Sequence, residues 1–257
     1  MDKDHNVINS ALNKATNEIL QQNYNNLNYD KFNYDDVSSE VNKDLVKFTL
    51  DKTTRNDNGR LVMPLMWRSD VCHLLAKNLN LSKAILNSNF KKLKKKPEYL
   101  NMIDESFRAQ EEAGIISRVD NMDDFLQKHP YYSFLPHMGV FRPHRTSTKC
   151  RVVYLSNLKE DVPNQQCTVS HNQAIYSGPC LNQSISTALI QLRFDKYLLI
   201  FDLVKAFNQI ELSEADSARL LCLWYKNLSK GDFSLICYRN VCLTFGLRCS
   251  PTILMLG

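Results

Sequence analysis

The spacing of hydrophobic positions changes several times along this chain, and each change marks an element. Leu61, Met63, Leu65 and Trp67 alternate with other residues in 59–68. This predicts a short extended segment that packs those side chains to one side, with Pro64 limiting it to a sheet edge. From Leu81 the spacing lengthens. Leu81, Ile85, Leu86, Phe90 and Leu93 form a helical stripe, with Ser82 as its N-cap and Lys83, Lys91, Lys92, Lys94, Lys95 and Lys96 on the far face. Pro97 stops that helix and opens the next at its first position. Tyr99, Ile103 and Phe107 give the second stripe, and Gly114 ends it. Residues 115–119 follow as a strand.

The pattern then becomes extended. Pro136 and Pro143 forbid a regular helix in 131–144, and 145–154 reads as a polar turn feeding a strand. Gly178 and Pro179 make a turn. Ile185, Leu189 and Leu192 predict a helix packed on the core within 182–194. Residues 197–201 are an apolar run that meets one carboxylate, Asp202, which predicts a buried central strand with the acid at its exposed end. Leu203, Phe207 and Ile210 then share one face of a helix or tight turn. Ser213-Glu-Ala-Asp216 has the form of a capping box before a short helical turn. Residues 220–225 and 233–238 read as a hairpin, Gly246 as a turn, and Pro251 as the start of a helix.

Residues 1–58 lack such patterning. Twelve of them are Asn, and beyond a short early helix marked by Ile8, Leu12 and Ile19 they predict a mobile lead-in. The chain thus divides into 1–58, a basic helical region at 59–124, and 125–257.

Composition narrows the class. With 257 residues, 44% hydrophobic and 23% charged, the chain can bury a sizeable core in one or two domains. It has no run of eighteen apolar residues and a polar start, so no membrane span or secretory signal is expected. None of the eight cysteines forms a CxxC pair, and Cys222, Cys237 and Cys242 lie in apolar runs. Reduced, buried thiols in an intracellular protein fit this better than zinc ligands. The net charge of +5 is concentrated in residues 60–160, which hold 17 basic and 10 acidic side chains. That distribution suggests a polyanion-facing surface, although a solvated lysine-rich helix would account for part of it. Lys91–Lys96 also matches a nuclear-import pattern, so both cytoplasm and nucleus stay open.

Between Asp124 and Glu160 there is no acid, while Lys128, Arg142, Arg145, Lys149, Arg151 and Lys159 alternate with aromatics. Bases neutralise phosphate and aromatics stack or pack, so the stretch suits a nucleic acid or nucleotide; an ordinary basic hairpin has the same pattern. Asp202 has two readings as well, a turn-capping residue or a carboxylate delivered to a cleft.

Three pieces stand in a fixed order: Thr148-Lys-Cys-Arg-Val-Val153, Asp202 with Phe207 five residues on, and Thr244-Phe-Gly-Leu-Arg-Cys-Ser-Pro251. Together they resemble the fingers and first half of the palm of a reverse transcriptase (RNA-directed DNA polymerase). The resemblance is nearest to the Pol proteins of BEL/Pao-type LTR retrotransposons, and 59–68, 135–144 and Gly178-Pro179 share it. It implies an α+β right-hand fold with fingers and a partial palm, an antiparallel sheet and packed helices. It implies Asp202 as a catalytic ligand of Mg²⁺, with the Leu203 carbonyl beside it; hard Mg²⁺ takes oxygen ligands from carboxylates and substrate phosphates. It implies that Val204, Lys205 and Ala206 lie along the nucleotide phosphates, that Phe207 crowds a ribose 2′-hydroxyl, and that Phe245 and Gly246 contact the nucleotide. Arg151, with Lys149 as a second contact, would grip the triphosphate. The implied partners are an RNA template, a DNA primer, deoxynucleoside triphosphates and the rest of a Pol polyprotein.

Two departures stand out. Leu155 occupies a place where the family usually has an acid. The family's second catalytic motif, Tyr-x-Asp-Asp, does not occur; Tyr34-Asp35-Asp36 lies upstream in the Asn-rich lead-in. The expectation is therefore a truncated enzyme that does not polymerise alone. A second class of function also fits: a non-catalytic module that binds RNA or an RNA–DNA hybrid.

Overall fold

The computed structural model describes residues 39–257 except 145–148, 161–166, 195, 198 and 201. The predicted early helix at Ile8–Ile19 and most of the turn beginning at Arg145 lie outside these residues.

The first element falls inside the predicted lead-in. Helix α1 (Ser39–Lys52) carries Glu40 in its first turn and Lys52 in its last, both favourable to the helix dipole. Val46 and Thr49 are fully buried, and the Thr49 hydroxyl donates to the Leu45 carbonyl at 2.8 Å. Asn-rich composition hid this short apolar face. Strand β1 (Thr54–Arg55) turns back into β2 (Leu61–Met63), the Asn56 carboxamide oxygen accepting the Asn58 and Arg60 amides. Strand β2 is the middle of its three-stranded sheet, not an edge. Pro64 lies one residue past it, where its missing N–H removes no ladder bond.

Helix α2 (Leu79–Leu93) begins three residues before the proposed cap. Ser82 is buried inside it, and Asn78 at φ 58° stands at the N-cap position without a side-chain cap bond. The Asn78 side chain instead accepts the Glu160 amide at 2.8 Å, a long-range contact that spacing cannot reveal. Helix α3 (Pro97–Glu112) starts at Pro97, buries Ile103 and Phe107, and ends at Gly114 with φ 66°, as its pattern predicts. Strand β3 (Ile116–Arg118) and helix α4 (Met122–Lys128), capped by Asn121, follow. Strands β4 (His137–Phe141) and β5 (Cys150–Tyr154) form the basic hairpin.

Helices α5 (His171–Ala174) and α6 (Ile185–Gln191) lead to a single 3₁₀ turn at Ala206–Gln209 and to β6 (Glu211–Leu212), which pairs parallel with β2. After α7 (Glu214–Ala218), strands β7 (Leu221–Asn227) and β8 (Asp232–Asn240) form the second predicted hairpin, and β3 adds to β8. Helix α8 (Ser250–Leu256) closes the described chain, with Pro251 in its first turn. The fold is mixed α+β.

One core runs through these elements. Helices α2 and α3 pack on β4, β5 and β7, and α1 packs on β2 and α8. Phe107 stacks flat on Trp224 with ring centroids 4.6 Å apart. Asp216 ties the core to the amino-terminal sheet. Its amide is capped by Ser213, as the capping box predicts, but its carboxylate does more. It accepts from the Leu65 amide (3.0 Å), the Ser213 hydroxyl (2.9 Å) and the Trp67 indole. A buried charge is tolerable only when hydrogen-bonded in this way.

Two expectations fail between 182 and 204. Helix α6 forms, but Ile185 is 78% and Leu189 56% exposed, so it does not pack on the core. The described residues of 196–203 are not a strand, and Leu199 and Ile200 are more than 80% exposed. The apolar spacing identifies a face that demands cover. Whether a neighbour covers it is not encoded in the spacing.

Candidate functional site

The hairpin has two distinct faces because side chains alternate along a strand. His137 lies opposite Tyr154, Gly139 opposite Val152, and Phe141 opposite Cys150, and this set faces the core. Met138 opposes Val153 and Val140 opposes Arg151, and this set faces outward. The Arg142 amide donates to the Lys149 carbonyl at 2.7 Å, extending the pairing. Arg142, Lys149 and Arg151 are all exposed. Neither Arg142 nor Arg151 makes an ion pair among the described residues.

The Thr244–Arg248 turn is brought against this outer face. The Phe245 carbonyl accepts the Tyr154 amide at 3.3 Å, at the end of β5. Gly246 sits at φ 111°, and a Cβ there would stand 2.2 Å from the Tyr154 carbonyl oxygen. Only glycine permits so close a backbone approach at this φ. The turn is clamped from behind: Asn172 donates to the Gly246 carbonyl (3.0 Å) and accepts the Arg248 amide (2.9 Å), and the Ser250 hydroxyl donates to the Thr244 carbonyl (2.8 Å). Between turn and hairpin lies a cavity of about 270 Å³, lined by Val140, Arg142, Arg151, Val153, Phe245 and Gly246.

Phe207 joins this group. Lys205 at φ 51° starts the 3₁₀ turn that carries it, a left-handed conformation costing roughly 1–2 kcal/mol for a side chain of this kind. The Phe207 ring meets Phe245 edge-on, centroids 4.9 Å apart, and the Asn208 side chain anchors the turn by donating to the Leu243 carbonyl at 3.2 Å. Arg151, Phe245, Gly246 and Phe207, far apart in sequence, thus form one contiguous site.

Asp202, Leu203, Val204 and Lys205 are exposed and precede the turn, and half-buried Ala206 opens it; none of them lines the cavity, and Phe207 meets it through Phe245. Lys149 lies at the hairpin end. Among the described residues no cluster of three or more His, Cys, Asp or Glu side chains gathers to hold a metal. Sequence reasoning counted Arg142 only as one of several bases; alternation places it beside Arg151 once the pairing is known. Asn172 carries no local signal at all, because its clamp spans distant segments.

The arrangement offers two exposed arginines beside a cavity that Val140, Val153 and Phe245 also line. Such a site matches an anion joined to a flat or apolar group, and guanidinium forks suit phosphate oxygens. No helix among the described residues is long and apolar enough to cross a membrane. No protein-family model matches the chain, and no curated protein matches it.

Proposed function

We propose that this chain is the fingers and the first part of the palm of a reverse transcriptase of the BEL/Pao retrotransposon type, and that the hairpin cavity takes the triphosphate of an incoming deoxynucleotide. The observation that carries this reading is the meeting of three separate motifs in one place. Arg151 of β5, Phe245-Gly246 of the turn and Phe207 after Asp202 are the residues the resemblance pairs with one nucleotide, and they are contiguous.

In this reading Arg151 and Arg142 hold phosphate oxygens, with Lys149 as an outlying charge. Phe207, braced by Phe245, blocks the space beside the sugar. The backbone of Val204–Ala206 runs along the phosphates. Asp202 and the Leu203 carbonyl would offer oxygen ligands to Mg²⁺, which would neutralise phosphate charge. A lone exposed acid is too little to localise two ions, and the Tyr-x-Asp-Asp motif does not occur in this sequence. The chain alone therefore binds nucleotide and template but does not extend a primer.

Primer extension on an RNA template with Mg²⁺ and deoxynucleotides, run beside a nucleotide-binding titration, tests this. Saturable nucleotide binding that falls on Arg151→Ala supports the reading. Extension by this chain that stops on Asp202→Asn would restore the enzyme and overturn the inactivity. A second reading is favoured by the exposed Lys91–Lys96 run: a non-catalytic module for RNA or RNA–DNA hybrid. Steeply salt-dependent RNA binding without nucleotide binding would select it.

A further inference from the structure

Phe245 and Gly246 form one wall of the arginine cavity, and the two halves of their turn are held differently. The Ser250 hydroxyl fixes the Thr244 carbonyl and the Asn208 side chain fixes the Leu243 carbonyl, both ahead of Phe245. The hairpin adds a long hydrogen bond, from the Tyr154 amide to the Phe245 carbonyl at 3.3 Å. Gly246 has no side chain to restrict its backbone, so the direction of its carbonyl has to be set from outside.

Asn172 sets that direction. Its carboxamide nitrogen donates to the Gly246 carbonyl at 3.0 Å and to the Asn157 side-chain oxygen at 2.8 Å, while its Oδ1 accepts the Arg248 amide at 2.9 Å. Its backbone is engaged too. The amide donates to the Ser156 carbonyl at 3.0 Å, and the carbonyl accepts from the Arg248 guanidinium at 3.3 Å. Every hydrogen-bonding group of this residue is therefore in use, and together they join the end of β5 to the far half of the turn. The base is firm. Asn172 sits in α5, where Ser170 and Gln173 close a capping box and the buried His171 ring meets the Arg219 carbonyl at 2.9 Å. An aspartate would have the same shape and none of the donors.

We propose that Asn172 is a positioning residue for triphosphate binding. It does not line the cavity and acts through the Gly246 carbonyl, holding Phe245 and Gly246 against β5 at the spacing that Arg142 and Arg151 require. The inference rests on the reading of this cavity as a nucleotide site.

The test titrates dTTP into the full chain by calorimetry, beside urea denaturation and hydrogen exchange at the Arg248 amide by NMR. Asn172→Asp keeps the acceptor and loses the donors; Asn172→Ala loses all the side-chain bonds. Both are expected to weaken dTTP binding about three- to tenfold, the range one net hydrogen bond supplies. Protection of the Arg248 amide is expected to survive in Asn172→Asp and to be lost in Asn172→Ala. Ser217→Ala separates positioning from plain stability. It removes a buried hydrogen bond from α7 to the Asn240 carbonyl (2.7 Å), outside the cavity, and should lower the urea midpoint with dTTP affinity unchanged. A wild-type chain that binds no dTTP overturns the nucleotide reading and this inference with it. Wild-type binding that falls on Arg151→Ala but is unchanged in both Asn172 variants, or that falls equally in Ser217→Ala, overturns the positioning role alone.

Discussion

Replacing Gly246 by alanine adds one methyl group and should cost more than any exposed-loop change in this chain. The new Cβ would sit 2.2 Å from the Tyr154 carbonyl oxygen, far inside contact distance. That oxygen cannot simply retreat. The Tyr154 amide is bonded to the Phe245 carbonyl, and the Leu155 amide to the Pro136 carbonyl at 2.7 Å, so the end of β5 is held on both sides. The φ of 111° itself costs an L-residue roughly 1–3 kcal/mol. Separating turn and strand forfeits the Tyr154–Phe245 hydrogen bond, about 0.5–1.5 kcal/mol more. The sum is a loss of about 2–4 kcal/mol by urea denaturation. Gly231 supplies the control: its φ is 72° and nothing lies within 4 Å of its Cβ position. Gly231→Ala should cost only the backbone term, about 1–2 kcal/mol. Because Phe245 and Gly246 line the arginine cavity, Gly246→Ala should also weaken nucleotide binding about tenfold or more, whereas Gly231→Ala should leave it unchanged. Equal stability losses with equal nucleotide affinities would refute the claim that the close approach, rather than φ alone, holds the site together.

Arg151→Ala and Arg142→Ala should each weaken triphosphate binding about tenfold or more, since hydrogen bonds to charged groups contribute roughly 1.5–3 kcal/mol; unfolding midpoints should stay put because both side chains are exposed. Asp216→Asn should destabilise the fold by about 2–3 kcal/mol, because one carboxamide oxygen cannot serve the three donors at Leu65, Trp67 and Ser213; urea denaturation with an unshifted curve would contradict the hub role. His137 and His171 are both pushed down to about 4 by burial, so the unfolded chain takes up protons first. Their contribution to stability is whole above the unfolded value near 6.5 and is lost as pH falls from there to about 4. At roughly 1.4 kcal/mol per unit it amounts to about 3 kcal/mol for each histidine. Denaturation midpoints that are flat between pH 7 and pH 4.5 would count against it.

What could be read ahead of the structure was local. Pro97, Gly114, Ser213 and Pro251 each act through their own backbone, so helix starts and stops at those positions follow from residue type. The second hairpin follows from two apolar runs around a polar connection, and the first from an extended, proline-interrupted stretch and a polar turn feeding a strand. The errors share one cause, which is a partner distant in sequence. Ser82 looked like a cap because nothing nearby showed that Asn78 precedes the helix while its side chain holds Glu160. Asp216 looked like an ordinary capping-box acid because Leu65 and Trp67 arrive from another sheet. Helix α6 and the run before Asp202 have the spacing of covered elements, yet their apolar faces are exposed. For the site, the residue types of Arg151, Phe207, Phe245 and Gly246 were legible, but their contiguity, and the place of Arg142 and Asn172 beside them, required the pairing.

The alternation of the β4–β5 hairpin also limits how this chain can diverge. One extra residue after Cys150 would itself take the outward position, moving the Arg151 guanidinium to the inward side and Val152 outward. Two extra residues would keep every later side chain on its own side. Within the strands, lengthening is therefore confined to even steps, and single-residue changes are left to the connection between them. The parity of the hairpin, more than the identity of most of its residues, is what descendants of this sequence must keep.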